Sequence, residues 1–241
     1  MANTAHVRFL LEKGKEEWNL WRLHNLDVQP DLEGADLSGG DWRRADFRGA
    51  NIRGACFKQA NLRFAVFWEA VLEGAILAEA DLFGASLYRA NLSKAYCAAA
   101  NFTLADLRKT KLREVDLEAA DLSRAAMLSA DLTSARMERT RMERTNLTGA
   151  RLDRANLKCA VLDDASLVWA NLSEADLERA RLHRAIVNES NLHGACLKEA
   201  DLTEAQFRQA DLRDADLEGA KLENADLSEA KLDGATFGKA T

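Results

Sequence analysis

The groups through which this chain could do chemistry are four histidines, four cysteines and 39 aspartates and glutamates among 241 residues. Catalysis and metal binding need several such groups at short, characteristic spacings. His6, His24, His183 and His193 are scattered, and Cys56, Cys97, Cys159 and Cys196 show no zinc-type pairing. No glycine-rich phosphate loop is present either. The carboxylates are abundant but regular: of 42 positions spaced five apart from Asp31 to Thr236, 22 are Asp or Asn. These side chains readily bond the backbone of tight turns, so a pair such as Asp211 and Asp216 reads as scaffold. The expectation is a chain with no catalytic residue, no cofactor and no metal.

The elements that carry these residues obey the same period. From Leu32 to Phe237 every fifth residue is apolar, 42 positions of which 29 are Leu. A second series of 42, from Ala35 to Ala240, holds 36 Ala. Ala and Leu usually favour helices. An α-helix, however, turns about 100° per residue, so residues five apart diverge by about 140° and bury nothing together. A flat strand, with period two, fares no better. A solenoid with one short extended segment and one turn per pentad satisfies the pattern. Leu then points inward, Ala fills a tight inner slot, and three positions face solvent. Glycines such as Gly34, Gly49 and Gly74 recur two residues after the centre and serve the turns.

Gly34-Ala35-Asp36-Leu37-Ser38 and Glu199-Ala200-Asp201-Leu202-Thr203 resemble the pentapeptide repeat family, over residues 31–241. The resemblance implies an all-β solenoid, a right-handed quadrilateral β-helix with four pentads per coil. On that plan 42 pentads make about 10.5 coils, a rod about 50 Å long at roughly 4.8 Å per coil. His183 and His193 then lie on opposite sides of a coil. Cys56 and Cys196 are about 34 Å apart, too far for a disulfide. Cys97 fills a core position and Cys159 is exposed.

Residues 1–30 lie outside the repeat. Val7 to Asn25 reads as an amphipathic helix broken at Gly14 and stopped before Pro30. It predicts a short N-terminal helical cap over the first coil, whose open edge would otherwise invite aggregation. At the other end the repeats run on to Phe237. In gyrase-binding members of the family the C-terminal coils form a dimer interface, so Leu217, Leu222, Leu227, Leu232 and Phe237 are the candidate surface for a C-terminal homodimer.

Residues 20 apart stack on the outer surface. Phe64, Trp68, Phe83, Tyr88 and Leu104 are expected at one edge of the early coils, with Trp169 as an outlier, and together they form a candidate protein-binding site. Residues 1–160 carry 24 basic and 22 acidic groups, residues 161–241 carry 9 and 17. With a net charge of −6 there is no basic footprint for direct nucleic-acid binding. No apolar run reaches the roughly 18 residues of a membrane span, and the N-terminus lacks a signal-peptide pattern. The expected function is a non-enzymatic rigid scaffold for an unidentified protein partner in the bacterial cytoplasm. The alternative the resemblance offers is a DNA-mimicking protein that binds and protects DNA gyrase or another topoisomerase, its acidic last third imitating the phosphate backbone.

Overall fold

A pentad must do three things: pair with neighbours, turn a corner and bury an apolar side chain. In the computed structural model, which describes residues 4–241, each pentad from Asp31 on assigns these tasks to fixed positions. The Asp/Asn position forms the bridge, always parallel and always to the residue 20 further on, as in Asp31 to Asn51 and Asp216 to Thr236. Twenty residues are four pentads, so the coil is four-sided, and it winds as a right-handed β-helix. Three N–H groups per pentad bond adjacent coils, for example Leu37 N to Cys56 O at 2.7 Å, Gly39 N to Lys58 O at 2.8 Å and Cys56 N to Ala35 O at 2.9 Å. A fourth closes the corner as a β-turn, such as Ala35 N to Leu32 O at 3.0 Å.

All 42 corners have positive φ at the second residue after the centre, at 10 glycines and 32 other residues. Left-handed backbone is costly for a side-chain-bearing residue. Here the inter-coil bond of its N–H holds it in place, as at Arg89 N to Arg108 O, 3.1 Å. The Asp or Asn side chain adds a second restraint by accepting from the N–H two residues on. Ser38 N to Asp36 Oδ1 (3.1 Å), Phe83 N to Asp81 Oδ1 (3.1 Å) and Thr103 N to Asn101 Oδ1 (3.0 Å) are examples. The carboxylates of the repeat are therefore turn braces.

The central side chains and the alanines form one continuous core. It is narrow enough for opposite faces to touch: Phe47 and Phe57, two pentads apart, have ring centroids 5.7 Å apart, while Phe47 stacks on Phe67 of the next coil at 5.1 Å. Where Thr or Ser replaces the inner Ala, its hydroxyl donates to a carbonyl, as Thr110 does to Leu107 O (2.6 Å) and Ser190 to Val187 O (2.6 Å). No buried hydroxyl of this kind is left without a partner, as burial requires.

The helix α1 (Thr4–His24) is broken at Gly14, whose φ of 80° interrupts it. It lies across the first coil. Trp18 is fully buried over Phe47, with ring centroids 6.2 Å apart, and Leu10 is buried with it. The first coil has no neighbour below to pair with its N–H and C=O groups, and α1 supplies substitutes. Trp18 Nε1 donates to Asp46 O (2.8 Å), Asn19 Oδ1 accepts from Asp46 N (2.9 Å), Arg22 Nη2 donates to Arg48 O (2.8 Å), and His6 Nδ1 accepts from Asp31 N (3.2 Å).

Candidate partner-binding surface

Corners of successive coils stack into columns, and one column carries Arg48, Trp68, Tyr88 and Arg108. Each arginine is held as a bidentate fork on the bridge aspartate of its own pentad. Arg48 grips Asp46 at 2.9 and 2.6 Å, and Arg108 grips Asp106 at 2.8 and 2.7 Å. The paired guanidinium keeps the Asp106 carboxyl below its usual range. Trp68 is 49% exposed, yet its indole N–H donates to Ser86 Oγ, which fixes the ring. Tyr88 is half-buried, with the guanidinium carbons of Arg89 and Arg108 at 5.2 and 5.6 Å from its ring centre. Together with Arg22 and Leu26 from the end of α1 and the turn after it, these side chains line a groove of about 660 Å³.

The other expected site residues fall elsewhere. Phe64 and Phe83 meet edge to face at 5.6 Å on the preceding corner, with Arg63 4.2 Å above the Phe83 ring. The Phe64 ring occupies the space a side chain at Gly84 would need. Leu104, exposed, continues that column. Phe64, Phe83 and Leu104 thus stand on one corner and Trp68 and Tyr88 on the next, because consecutive pentads turn successive corners of the square. Trp169 stands alone far along the rod, 62% exposed, its indole bonded to Glu189 Oε2 at 3.0 Å. Ile76 and Tyr96 are also exposed, on neighbouring coils of one bridge column. Their spacing of 20 marks them in the sequence. Arg22 and Leu26 carry no such mark, since they lie outside the repeat.

The groups capable of chemistry are dispersed or engaged. Cys97 is fully buried, and burial pushes its thiol up. Cys159 is exposed and Cys56 and Cys196 are half-buried, all four being free thiols. His193 faces Asp214 at 3.7 Å. The basic stretch around residues 139–184 is laced with acids: Arg144 and Arg184 share Asp164 at 3.5 and 2.9 Å, Arg181 pairs with Asp163, and Arg141 with Glu143 at 3.3 Å. Among the described residues no cluster of three or more His, Cys, Asp or Glu could hold a metal ion, and no helix is long and apolar enough to cross a membrane.

A family model described as pentapeptide repeats matches this chain in eight copies, over residues 31–63, 60–96, 100–139, 128–164, 165–203 and 200–238. The chain belongs to the pentapeptide repeat family. Among solved structures it is similar to HetL of the cyanobacterium Nostoc sp., a pentapeptide repeat protein involved in heterocyst differentiation regulation. The identity is 32%, over 89% of this chain and 94% of HetL, with a TM-score of 0.39. A pentapeptide repeat protein of the Arabidopsis thaliana thylakoid lumen is 35% identical over 45% of this chain and 65% of its own, with a TM-score of 0.23. Full-length QnrB1, a plasmid-mediated fluoroquinolone resistance protein, is 17% identical over 76% and 84% of the two chains, with a TM-score of 0.39. No curated protein matches.

In this pentapeptide repeat protein the last coil has an open face. Leu222 and Leu227 are half-buried, and Leu232 and Phe237 are each 36% exposed. Leu217 does not belong with them: it is fully buried, because the coil that ends at Phe237 covers it, with Leu217 N bonded to Thr236 O at 2.8 Å. The end surface is one pentad shorter than the five-residue set expected from the sequence.

Proposed function

We propose that this protein is a non-enzymatic, rigid scaffold that binds a protein partner through its aromatic and arginine corner. The observation that carries this reading is the groove beside Trp68 and Tyr88. It combines an exposed indole locked by its own hydrogen bond with arginines pinned by carboxylates. Rigid aromatic and arginine side chains lose little freedom on binding, and they are the residue types enriched where partners dock. Trp68→Ala should weaken capture of a partner from the host's lysate several-fold while leaving thermal unfolding nearly unchanged. A fall in the unfolding temperature comparable to a core mutation, with capture unaltered, would show Trp68 to be structural and sink the reading. Phe83 is a poorer probe, since its ring is half-buried under Phe64 and Arg63.

A second reading, a DNA mimic that binds gyrase, is favoured by the charge imbalance of residues 161–241, where 9 basic face 17 acidic groups. Several of those acids are ion-paired, Asp211 with Arg213 at 2.7 Å and Asp216 with Lys198 at 3.0 Å among them, which dilutes a phosphate-like pattern. A gyrase supercoiling assay separates the two: no effect of this protein, with or without a quinolone, removes the mimic.

A further inference from the structure

The cap end of the groove holds a charge that its neighbours answer only in part. Arg48, Arg89 and Arg108 each have a carboxylate: Asp46 at 2.6 Å, Glu69 at 3.2 Å and Asp106 at 2.7 Å. Arg22 is 3% exposed, and among the described residues its hydrogen bonds go to backbone carbonyls, Val28 O at 2.8 Å, Arg48 O at 2.8 Å and Asn25 O at 3.4 Å. Among the described residues its Nε has no hydrogen-bond partner. The nearby Asp46 is already gripped by the Arg48 fork. Two cations therefore share one carboxylate, and a buried cation without a counter-charge is costly. Beside this surplus positive charge lie two exposed apolar side chains, Leu26 at 63% and Trp68 at 49%.

We propose that the groove between the end of α1 and the Trp68–Tyr88 corner docks an acidic peptide segment of a partner protein. One carboxylate of the segment sits at the mouth of the groove and balances the buried Arg22 charge from there, and an adjacent apolar side chain lies on Trp68 and Leu26. The proposal rests on the scaffold reading above and narrows it to one partner chemistry. A volume of about 660 Å³ suits a few residues of extended peptide. A free inorganic anion would answer the charge but leave the indole and Leu26 bare.

The test uses the full chain and three labelled synthetic peptides, followed by fluorescence anisotropy at low and moderate salt. The first alternates Glu with Phe and Leu, the second replaces Glu by Lys, and the third replaces the apolar residues by Gly. The expected result is saturable binding of the first peptide alone, weakened by salt. Leu26→Glu and Trp68→Ala should each weaken it about tenfold, roughly 1.4 kcal/mol. Leu26 is exposed, so Leu26→Glu should unfold at the wild-type temperature, and the peptide comparison needs no variant at all. Equal binding of the Lys peptide, equal binding of the Gly peptide, or an unaltered affinity in both variants would overturn the inference. So would the absence of binding by any peptide. If capture from lysate still depends on Trp68 in that case, the scaffold reading stands and only the acidic partner falls.

Discussion

Gly40 occupies an inner slot that Ala fills in 36 of 42 pentads, and its reason is the indole beside it. Trp42 folds back to donate from Nε1 to Leu37 O at 2.9 Å, and a Cβ on Gly40 would clash with that indole at its Nε1. Gly34 is the opposite case. Its φ is 65°, yet nothing stands within 4 Å of where its Cβ would be. Gly40→Ala should therefore destabilise by about 1–3 kcal/mol through overpacking. Gly34→Ala should cost under about 1 kcal/mol, because strain at a left-handed position is partly offset by a stiffer unfolded chain. Urea unfolding of the two variants measures the contrast. Equal losses would mean that the Trp42 indole does not set the requirement for glycine at position 40.

At the scale of the element, α1 works as a substitute coil, and one of its contacts is sensitive to pH. His6 Nδ1 accepts from Asp31 N, which only an unprotonated ring nitrogen can do. Burial holds the His6 pKa below its ordinary value, with Asp31 opposing and Arg22 reinforcing the shift. A histidine whose pKa is lower in the folded state binds its proton more readily when released. Its contribution is thus complete above the unfolded value near 6.5 and is lost as pH falls toward the folded one. Cap stability should decline as pH falls below about 6.5, visible as a change in Trp fluorescence, since Trp21 lies 5.2 Å from the His6 ring. A signal that stays flat there, or declines identically in His6→Gln, would remove His6 from the account. The element also shows what could be read in advance. The break at Gly14 and the apolar set around Trp18 were legible in the sequence, because helix periodicity and a helix breaker are local signals. The matches of His6, Asn19 and Arg22 to particular edge groups were not, since they join residues 25 to 27 apart with no repeat to mark them. The period of the coils was plain in Leu, Ala and Asp/Asn, and with it the placement of Phe64 and Trp68 on successive corners.

For the whole molecule, the two ends behave differently. The first coil is covered by α1. The last presents Leu232 and Phe237, along with the N–H groups of Leu227, Leu232 and Phe237, which have no acceptor among the described residues. An apolar surface bordered by an open ladder is a template for pairing. We propose that a polypeptide of residues 1–241 pairs end to end through this face, so that Leu232→Glu with Phe237→Glu should return it to single chains in light scattering. A mass of one chain for the unmodified protein at micromolar concentration would end that expectation. The charge gradient follows the same axis, from +2 over residues 1–160 (24 basic, 22 acidic) to −8 over residues 161–241 (9 basic, 17 acidic).

The uniform step of 20 residues between bridged positions also bears on how the chain folds. Sheet proteins usually fold slowly because their strands must find partners far along the sequence. Here a bridge closes a loop of one coil and no more, about 0.08 of the chain length, which is the relative contact order of a helical bundle. Each finished coil is the template for the next. Folding should proceed as a zipper from wherever the first two coils meet, and Phe47, Phe57 and Phe67, in mutual contact directly above Trp18, make the capped end a strong place to start.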